Sequence, residues 1–305
     1  MKQIYISQLL EYLYKNKVDH EFTGNLNDII NGFSSITKYK ENTITWIKEP
    51  DILINSEINA LNIKLVIVSK NISKLENFEN VIVVNNPKNV FFMILEEFYS
   101  QKISYGIGKN NVISESAKMH PNVYIGNNCT IESNAEIGEG TIILNNVIIS
   151  KNVKIGKNCT IKSGAVIGEI GFGYSINEKN ESIRVPHFGG VIIEDNVDIG
   201  ANTTIERGTI DNTIIKRGTK IDDLCQISHN VIIGENTNII THTCVYGSVK
   251  IGKNCYISTS LIRNQLIIGD NVTVGMGSVV VKNIGDNEVV YGNPASFRRK
   301  NEVKN

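Results

Sequence analysis

Residues 123–167 read VYIGNNCTIESNAEIGEGTIILNNVIISKNVKIGKNCTIKSGAVI. Stepping by six from Ile125 meets Ile131, Ile137, Ile143, Ile149, Ile155, Ile161 and Ile167. The same phase runs back through Met119 and Ile113 to Ile107, giving eleven aliphatic residues without a break. Six is a multiple of two but not of 3.6, so a helix would smear these residues around its circumference. Each hexapeptide therefore reads as a short strand and a turn with its aliphatic residue pointing inward. Gly often follows, as in IGNNCT, IGKNCT, IGENTN and IGKNCY, and is expected to supply the tight corner conformation. Three such sides make a coil of about 18 residues, in which residues i and i+18 stack into a continuous prism core. An antiparallel sandwich would instead space its strands at about 8–12 residues with no fixed phase.

Working forward, the phase breaks across GFGYSINEKNESIRVPHFGG, residues 171–190, and resumes at Ile193, Ile199 and Ile205. It slips by four at IERGTIDNT and then runs from Ile215 to Ile257. A one-residue slip near Ser258–Ile262 leads on to Ile262, Ile268, Val274 and Val280. The repeat thus defines a parallel β-helix over 103–285, about nine coils long net of the inserted loop. Residues 1–102 lack the period. LVIVSK (65–70) and VIVV (81–84) read as buried strands, and 6–16 and 91–102 show helical spacing, so this part is a small α/β domain. Residues 286–305 are polar, end RRKNEVKN, and are expected to cover the open end of the β-helix and then fray.

Composition narrows the function classes. The chain has 305 residues, 41% of them apolar, with 31 Lys+Arg against 31 Asp+Glu, so nothing steers it onto nucleic acid or an anionic membrane. No apolar run approaches the roughly 18 residues of a transmembrane helix, and the N-terminus has no signal-peptide core, which makes the cytoplasm the expected location. No pair of the five cysteines has CxxC spacing, which argues against structural zinc. Cys129, Cys159, Cys225 and Cys255 share one phase of the repeat with Ser, Thr, Ala and Val, and read as small buried reduced side chains. A zinc site of the kind used by β-helical carbonic anhydrases needs three His, two of them five apart; no two histidines here have that spacing, and no metal is expected. Thr is too scattered for the flat ranks of an ice-binding scaffold, the non-enzymatic alternative.

The repeat resembles the left-handed β-helix acyltransferases; the left hand comes from that resemblance, since crossovers are ordinarily right-handed. Within that group the chain looks like the UDP-3-O-acylglucosamine N-acyltransferases of lipid A biosynthesis. The likeness is densest over IGANTTIERGTIDNTIIKRGTKIDDLCQISHNVIIGEN (199–236) and extends to GFGY (171–174), YGSVKIGKNC (246–255) and GFSSITKYKENTITWIKEPD (32–51). The resemblance implies a homotrimer with sites between neighbouring β-helices, an N-terminal domain that holds the nucleotide, and acyl transfer from a pantetheine thioester to an amine on a nucleotide-linked sugar. It also marks His229, in QISHN, as the proposed base.

The residues support that chemistry. An amine attacking a thioester must lose a proton, and neutral imidazole is suited to take it. One coil on from His229 stands Gly247, which leaves room for a thioester carbonyl and offers a backbone N–H to the developing oxyanion. His229 is thus the candidate base and Gly247 the candidate oxyanion donor; alternatively the thiolate takes the proton and His229 only positions the substrate. His242, 13 residues on, is a candidate for the same cleft. His187 on the inserted loop is a candidate for shaping the acceptor or acyl pocket, while His20 and His120 read as surface residues. Phe172 and Tyr174 suit a loop that either folds over a ligand or braces a neighbouring subunit. Trp46 either stacks on uracil, as the family aromatic does, or belongs to the core. Three departures from the family pattern stand out: Ile52 where the family has Tyr, Gln265 where it often has another His, and a short C-terminus in place of a long helical tail. That ending resembles CoA-dependent sugar acetyltransferases, with Arg298, Arg299 and Lys300 as candidates for a CoA phosphate.

The expected function is therefore an N-acyltransferase moving an acyl group, with acyl-CoA as donor, onto a UDP- or dTDP-linked amino sugar for a surface glycan, with no tightly bound cofactor. The alternative is the lipid A enzyme itself, with the phosphopantetheine of an acyl-carrier protein as donor.

Overall fold

A computed structural model describes residues 3–47, 62–70 and 78–301. The chain divides into two compact units, Met1–Lys102 and Ile103–Asn305.

In the first unit, strands His20–Thr23, Val81–Val84, Leu65–Ser69, Thr43–Ile47 and Gly32–Phe33 form one sheet in that spatial order. Only the first pair is antiparallel. Helix α1 (Ile6–Lys15) buries Ile6, Leu9 and Leu13 on one face, the spacing of an amphipathic helix. Helix α2 spans Pro87–Tyr99, four residues ahead of the start that apolar spacing suggests. The earlier start has a local cause: Asn86 Oδ1 accepts the Asn89 N–H at 3.2 Å, and Pro87 occupies the first turn, where its missing N–H costs nothing. Trp46 lies on the Thr43–Ile47 strand, opposite Ile67, and packs half-buried against the core around Ile44 and Leu65. Ile52 lies outside the described residues.

The second unit is the left-handed β-helix, its strands laid into three sheets of eight, eleven and nine. The register follows the sequence period. Ile125 pairs with Ile143, and Ile143 with Ile161, each 18 residues on. Ile161 then pairs with Ile199 and Ile199 with Ile221, so both phase breaks are excursions that leave the stack in register. Ile125, Ile143, Ile161 and Ile199 are all fully buried. The C-terminal tail differs from expectation. Glu288–Tyr291 adds a parallel strand beside Thr273–Val274, and Ser296–Lys300 turns back antiparallel to it. The sheet edge that the last coil would leave open is paired in this way.

The corners also differ in detail from the sequence reading. Where Gly follows the aliphatic residue it is needed for close approach: a Cβ on Gly126 would lie 2.6 Å from Asn145 Oδ1 and 2.8 Å from the Leu144 carbonyl carbon. The left-handed backbone falls two residues later, usually on Asn, as at Asn128 (φ 56°) and Asn146 (φ 58°). Asn tolerates this region better than other non-glycine residues. The corner amides also bond between coils, Asn110 Nδ2 donating to Asn128 Oδ1 and Asn128 Nδ2 to Asn146 Oδ1, each at 3.3 Å.

The shared phase of Cys and Thr has a common cause. Thr141, Thr219 and Thr237 donate to the carbonyl 15 residues on. Cys129 and Cys225 do the same, to Leu144 and Ile240. Cys129, Cys159, Cys225 and Cys255 are buried and free. Burial pushes the Cys225 thiol up to about 11 from an ordinary 9.0. The unfolded chain thus releases this proton at a lower pH than the folded one, so stability is unaffected below pH 9 and falls as pH rises from 9 to about 11. Thiol titration at pH 8 is expected to find half-buried Cys244 reacting first, with the four buried thiols following only in denaturant. Rapid reaction of all five in the native protein would refute the buried column.

Candidate active site

Both excursions leave the prism at the same corner. The strand Val166–Glu169 runs into the 171–190 loop before Val191–Ile193, and Thr204–Glu206 runs into residues 207–212 before Thr213–Ile215. One coil further, the same corner joins Gln226–Ile227 to Ile232–Ile233 and carries His229; the next carries Gly247. The stack therefore gathers the loop, the slip, His229 and Gly247 along one edge. Arg207 anchors this edge from inside. It is 3% exposed, with Nε donating to Gly168 O at 2.6 Å and Nη2 to Lys151 O at 2.9 Å, so one guanidinium joins successive coils beneath the loop's base.

A cleft of about 360 Å³ opens at this edge, lined by Phe172, Glu206, His229, Tyr246, Gly247 and Gln265 among others. His229 Nδ1 lies 3.0 Å from Asn230 Oδ1. That oxygen also accepts the Thr209 backbone N–H at 3.1 Å, and a backbone N–H can only donate, which identifies this atom of the amide as the oxygen. In the neutral ring the His229 proton therefore sits on Nδ1, and Nε2 carries the lone pair. Nε2 faces the next coil: a Cβ on Gly247 would lie 2.7 Å from both Nε2 and Cε1. The coils are tied at this point by Ser248 N–H donating to His229 O at 2.9 Å. Among the described residues the Gly247 N–H meets no acceptor. The residues that carry a base nitrogen and an uncommitted N–H donor thus line one cleft, the two groups that proton removal and oxyanion stabilisation require.

The remaining candidates separate into those the fold brings to this edge and those it does not. Phe172 lines the cleft and is 83% exposed. Tyr174 packs on it at 4.8 Å between centroids and opens the Tyr174–Ile176/Ser182–Arg184 hairpin, but does not line the cleft. His187 is buried behind His229, ring centroids 5.5 Å apart and nearly perpendicular, with Nδ1 donating to Val185 O at 2.9 Å. It backs the candidate base and is not among the residues that line the cleft. The loop glycines allow this packing. A Cβ on Gly173 would lie 2.6 Å from His187 Cε1, and one on Gly171 would run into Glu206 Oε2.

Gln265 lines the cleft but sits one place off the His229 column. Strand register carries His229 onto Gly247 and Asn264, whereas Gln265 (φ 63°) follows Asn230 and Ser248 in the left-handed corner position. The one-residue slip at 258–262 causes the offset. His242 is on a different corner, between Asn238–Ile239 and Cys244–Val245. It is exposed, with φ 58° and Nδ1 2.8 Å from Thr241 Oγ1, and within the chain it does not share the His229 cleft. Arg298 and Arg299 lie on the last strand, away from the cleft. The Arg298 guanidinium stacks 4.6 Å over the Tyr291 ring, and Arg299 Nη1 donates to Lys300 O at 3.2 Å.

Three residues of the site carry no mark in the sequence reading. Asn230 follows His229 directly, yet the corner repeats Asn everywhere, which hides its second use. Arg207 and Glu206 stand in the slip IERG, where the break in phase is the signal. Glu206 Oε2 accepts the His229 backbone N–H at 3.0 Å and Oε1 accepts from Gln226 Nε2 at 3.2 Å.

Comparison with known proteins bears on the fold and the family. Residues 105–138 and 134–169 match the bacterial transferase hexapeptide family (six repeats), and 189–210 and 265–293 match the hexapeptide repeat of succinyl-transferase. The UDP-3-O-acylglucosamine N-acyltransferase of Campylobacter lari is 39% identical over 248 residues, 77% of each chain. That of Campylobacter jejuni is 36% identical over the same length and shares. Among solved structures, the UDP-N-acetylglucosamine acyltransferase of Francisella novicida superposes with a TM-score of 0.58 at 26% identity, covering 63% of this chain and 69% of that one. The UDP-N-acetylglucosamine O-acyltransferase of Moraxella catarrhalis gives 0.57 at 27%, covering 63% and 73%. This chain is an acyltransferase of the hexapeptide-repeat, left-handed β-helix type, and it belongs to the UDP-3-O-acylglucosamine N-acyltransferase family.

Proposed function

We propose that the chain transfers an acyl group from a phosphopantetheine thioester, carried by an acyl-carrier protein, to the sugar amine of a UDP-linked 3-O-acylglucosamine, in lipid A assembly. The names of relatives that share 77% of this chain favour this acceptor over the CoA-dependent surface-glycan reading suggested by the short C-terminus. The observation that carries the chemistry is His229 with Nδ1 bonded to Asn230 and Nε2 turned to the cleft beside the free Gly247 N–H. As the amine nitrogen attacks the thioester carbon, His229 Nε2 takes its proton. The carbonyl π electrons move onto oxygen, where the Gly247 N–H meets them. Collapse of the tetrahedral intermediate breaks the C–S bond, and the departing sulfur takes the proton from the imidazolium. Amide and free thiol leave, and the imidazole is restored. In this reading three copies assemble with the cleft completed by a neighbour, and the N-terminal unit holds the nucleotide, with Trp46 as its candidate aromatic.

His229→Ala is expected to lower kcat by about 10²–10⁴-fold with the oligomer intact; near-wild-type turnover would remove His229 as base. Gly247→Ala, whose methyl would meet the imidazole, is expected to cut turnover by about 10²-fold, a loss comparable to removing an oxyanion donor, with little change in thermal stability. Thiol release with acyl-carrier-protein and CoA thioesters, against UDP- and dTDP-linked amino sugars, tests the substrates directly. Turnover of the UDP-linked 3-O-acyl acceptor with the carrier-protein donor supports the assignment. Turnover confined to CoA and another amino sugar overturns it.

A further inference from the structure

Among the described residues Glu206 is the one acidic side chain lining the His229 cleft. Its carboxylate is tied to the backbone of the candidate base itself, since Oε2 accepts the His229 N–H at 3.0 Å. Oε1 accepts a second hydrogen bond from Gln226 Nε2 at 3.2 Å. A carboxylate can accept about four hydrogen bonds, so roughly half its capacity remains for a ligand. The negative charge also lacks a cation. The neighbouring Arg207 turns its guanidinium inward to the Gly168 and Lys151 carbonyls, and among the described residues no Lys or Arg pairs with Glu206. The inserted loop presses on both groups at once: a Cβ on Gly171 would meet Glu206 Oε2 and lie 3.3 Å from His229 Cδ2. An unpaired carboxylate therefore shares one wall of the cleft with the base.

We propose that Glu206 receives the acceptor's amino group in its ammonium form and presents it to His229, so that this carboxylate sets the preference for an amine over a hydroxyl. The proposal rests on the amino-sugar reading above. A hydroxyl never carries the positive charge that a carboxylate attracts, so the discrimination is electrostatic and needs no difference in shape. The protons balance as follows. The bound ammonium loses one proton through His229 Nε2 to water in the open cleft, which frees the nitrogen lone pair. The second leaves to Nε2 as the C–N bond forms and passes to the sulfur as the C–S bond breaks. Net, ammonium and thioester give amide, thiol and one solvated proton, and Glu206 ends as it began.

The test compares binding of the UDP-linked amino sugar with that of its analogue bearing a hydroxyl in place of the amine, by calorimetry without donor, at a pH that keeps the amine protonated. Glu206→Gln retains an acceptor oxygen for the His229 N–H and removes the charge. The wild type is expected to bind the amine about tenfold more tightly than the hydroxyl analogue, as a charge-assisted hydrogen bond provides. In Glu206→Gln that advantage disappears while the hydroxyl analogue keeps its affinity within about twofold, and Glu206→Asp restores a preference for the amine. A retained preference in Glu206→Gln, an equal loss for both ligands, or no preference in the wild type overturns the role of Glu206. Wild-type turnover of the amino sugar in the same preparation separates the two levels. Its absence overturns the acceptor assignment and this role with it, whereas turnover without an amine preference overturns the role alone.

Discussion

The aliphatic stack along the prism is the constraint on which everything else depends. Ile125, Ile143, Ile161, Ile199, Ile221 and Ile239 lie over one another on one sheet, each at most 2% exposed. A parallel ladder that slipped by one residue would turn this column outward, so register is held at every coil by burial. That is why a 20-residue loop and a four-residue slip can be accommodated without disturbing the strands that follow. The extra chain has no place in the core and leaves at a corner, where the backbone is already turning.

Because both departures use the same corner, the β-helix builds its cleft by stacking. The loop contributes Phe172 at the cleft and His187 behind it, the slip contributes Glu206 and Arg207, and the two coils above contribute His229 and Gly247. The site is thus mounted on rungs whose spacing the ladder sets, and it takes little from side-chain flexibility. Glycine at 247, 171 and 173 lets imidazole, carboxylate and loop backbone approach at distances a methyl group would forbid. Asn230 uses the ordinary corner residue of the fold for a second purpose. In the left-handed conformation (φ 60°) its side-chain oxygen reaches back to His229 Nδ1 and fixes which ring nitrogen is free.

The corners explain where sequence reasoning erred. Gly after an aliphatic residue reads as a turn former, yet the positive φ falls mostly on Asn and the glycine answers to crowding from the next coil, which no local propensity encodes. His242 was placed near His229 by counting along the chain, and Gln265, which does line the cleft, by its place in the family pattern. The one-residue slip at 258–262 moves Gln265 off the His229 column, and the three-sided coil puts His242 on another edge. The polar composition of the C-terminal tail gave no sign of the Ser296–Lys300 strand, because its pairing with Glu288–Tyr291 is supplied by an edge and not by its own hydrophobic pattern.

The amino-acid order by itself determined the β-helix, the limits of its repeat and the two places where the repeat breaks, because a six-residue period admits one way of burying its aliphatic residues. The motif QISHN, through its family resemblance, singled out His229, and Gly247 followed from it by counting, since 18 residues is one coil. Only the tertiary structure decided which breaks share a corner, which nitrogen of His229 is free, and that Glu206 stands unpaired beside it. Those relations join residues on different coils through hydrogen bonds and close contacts whose partners lie 20 or more residues apart, and a one-dimensional period carries no record of them.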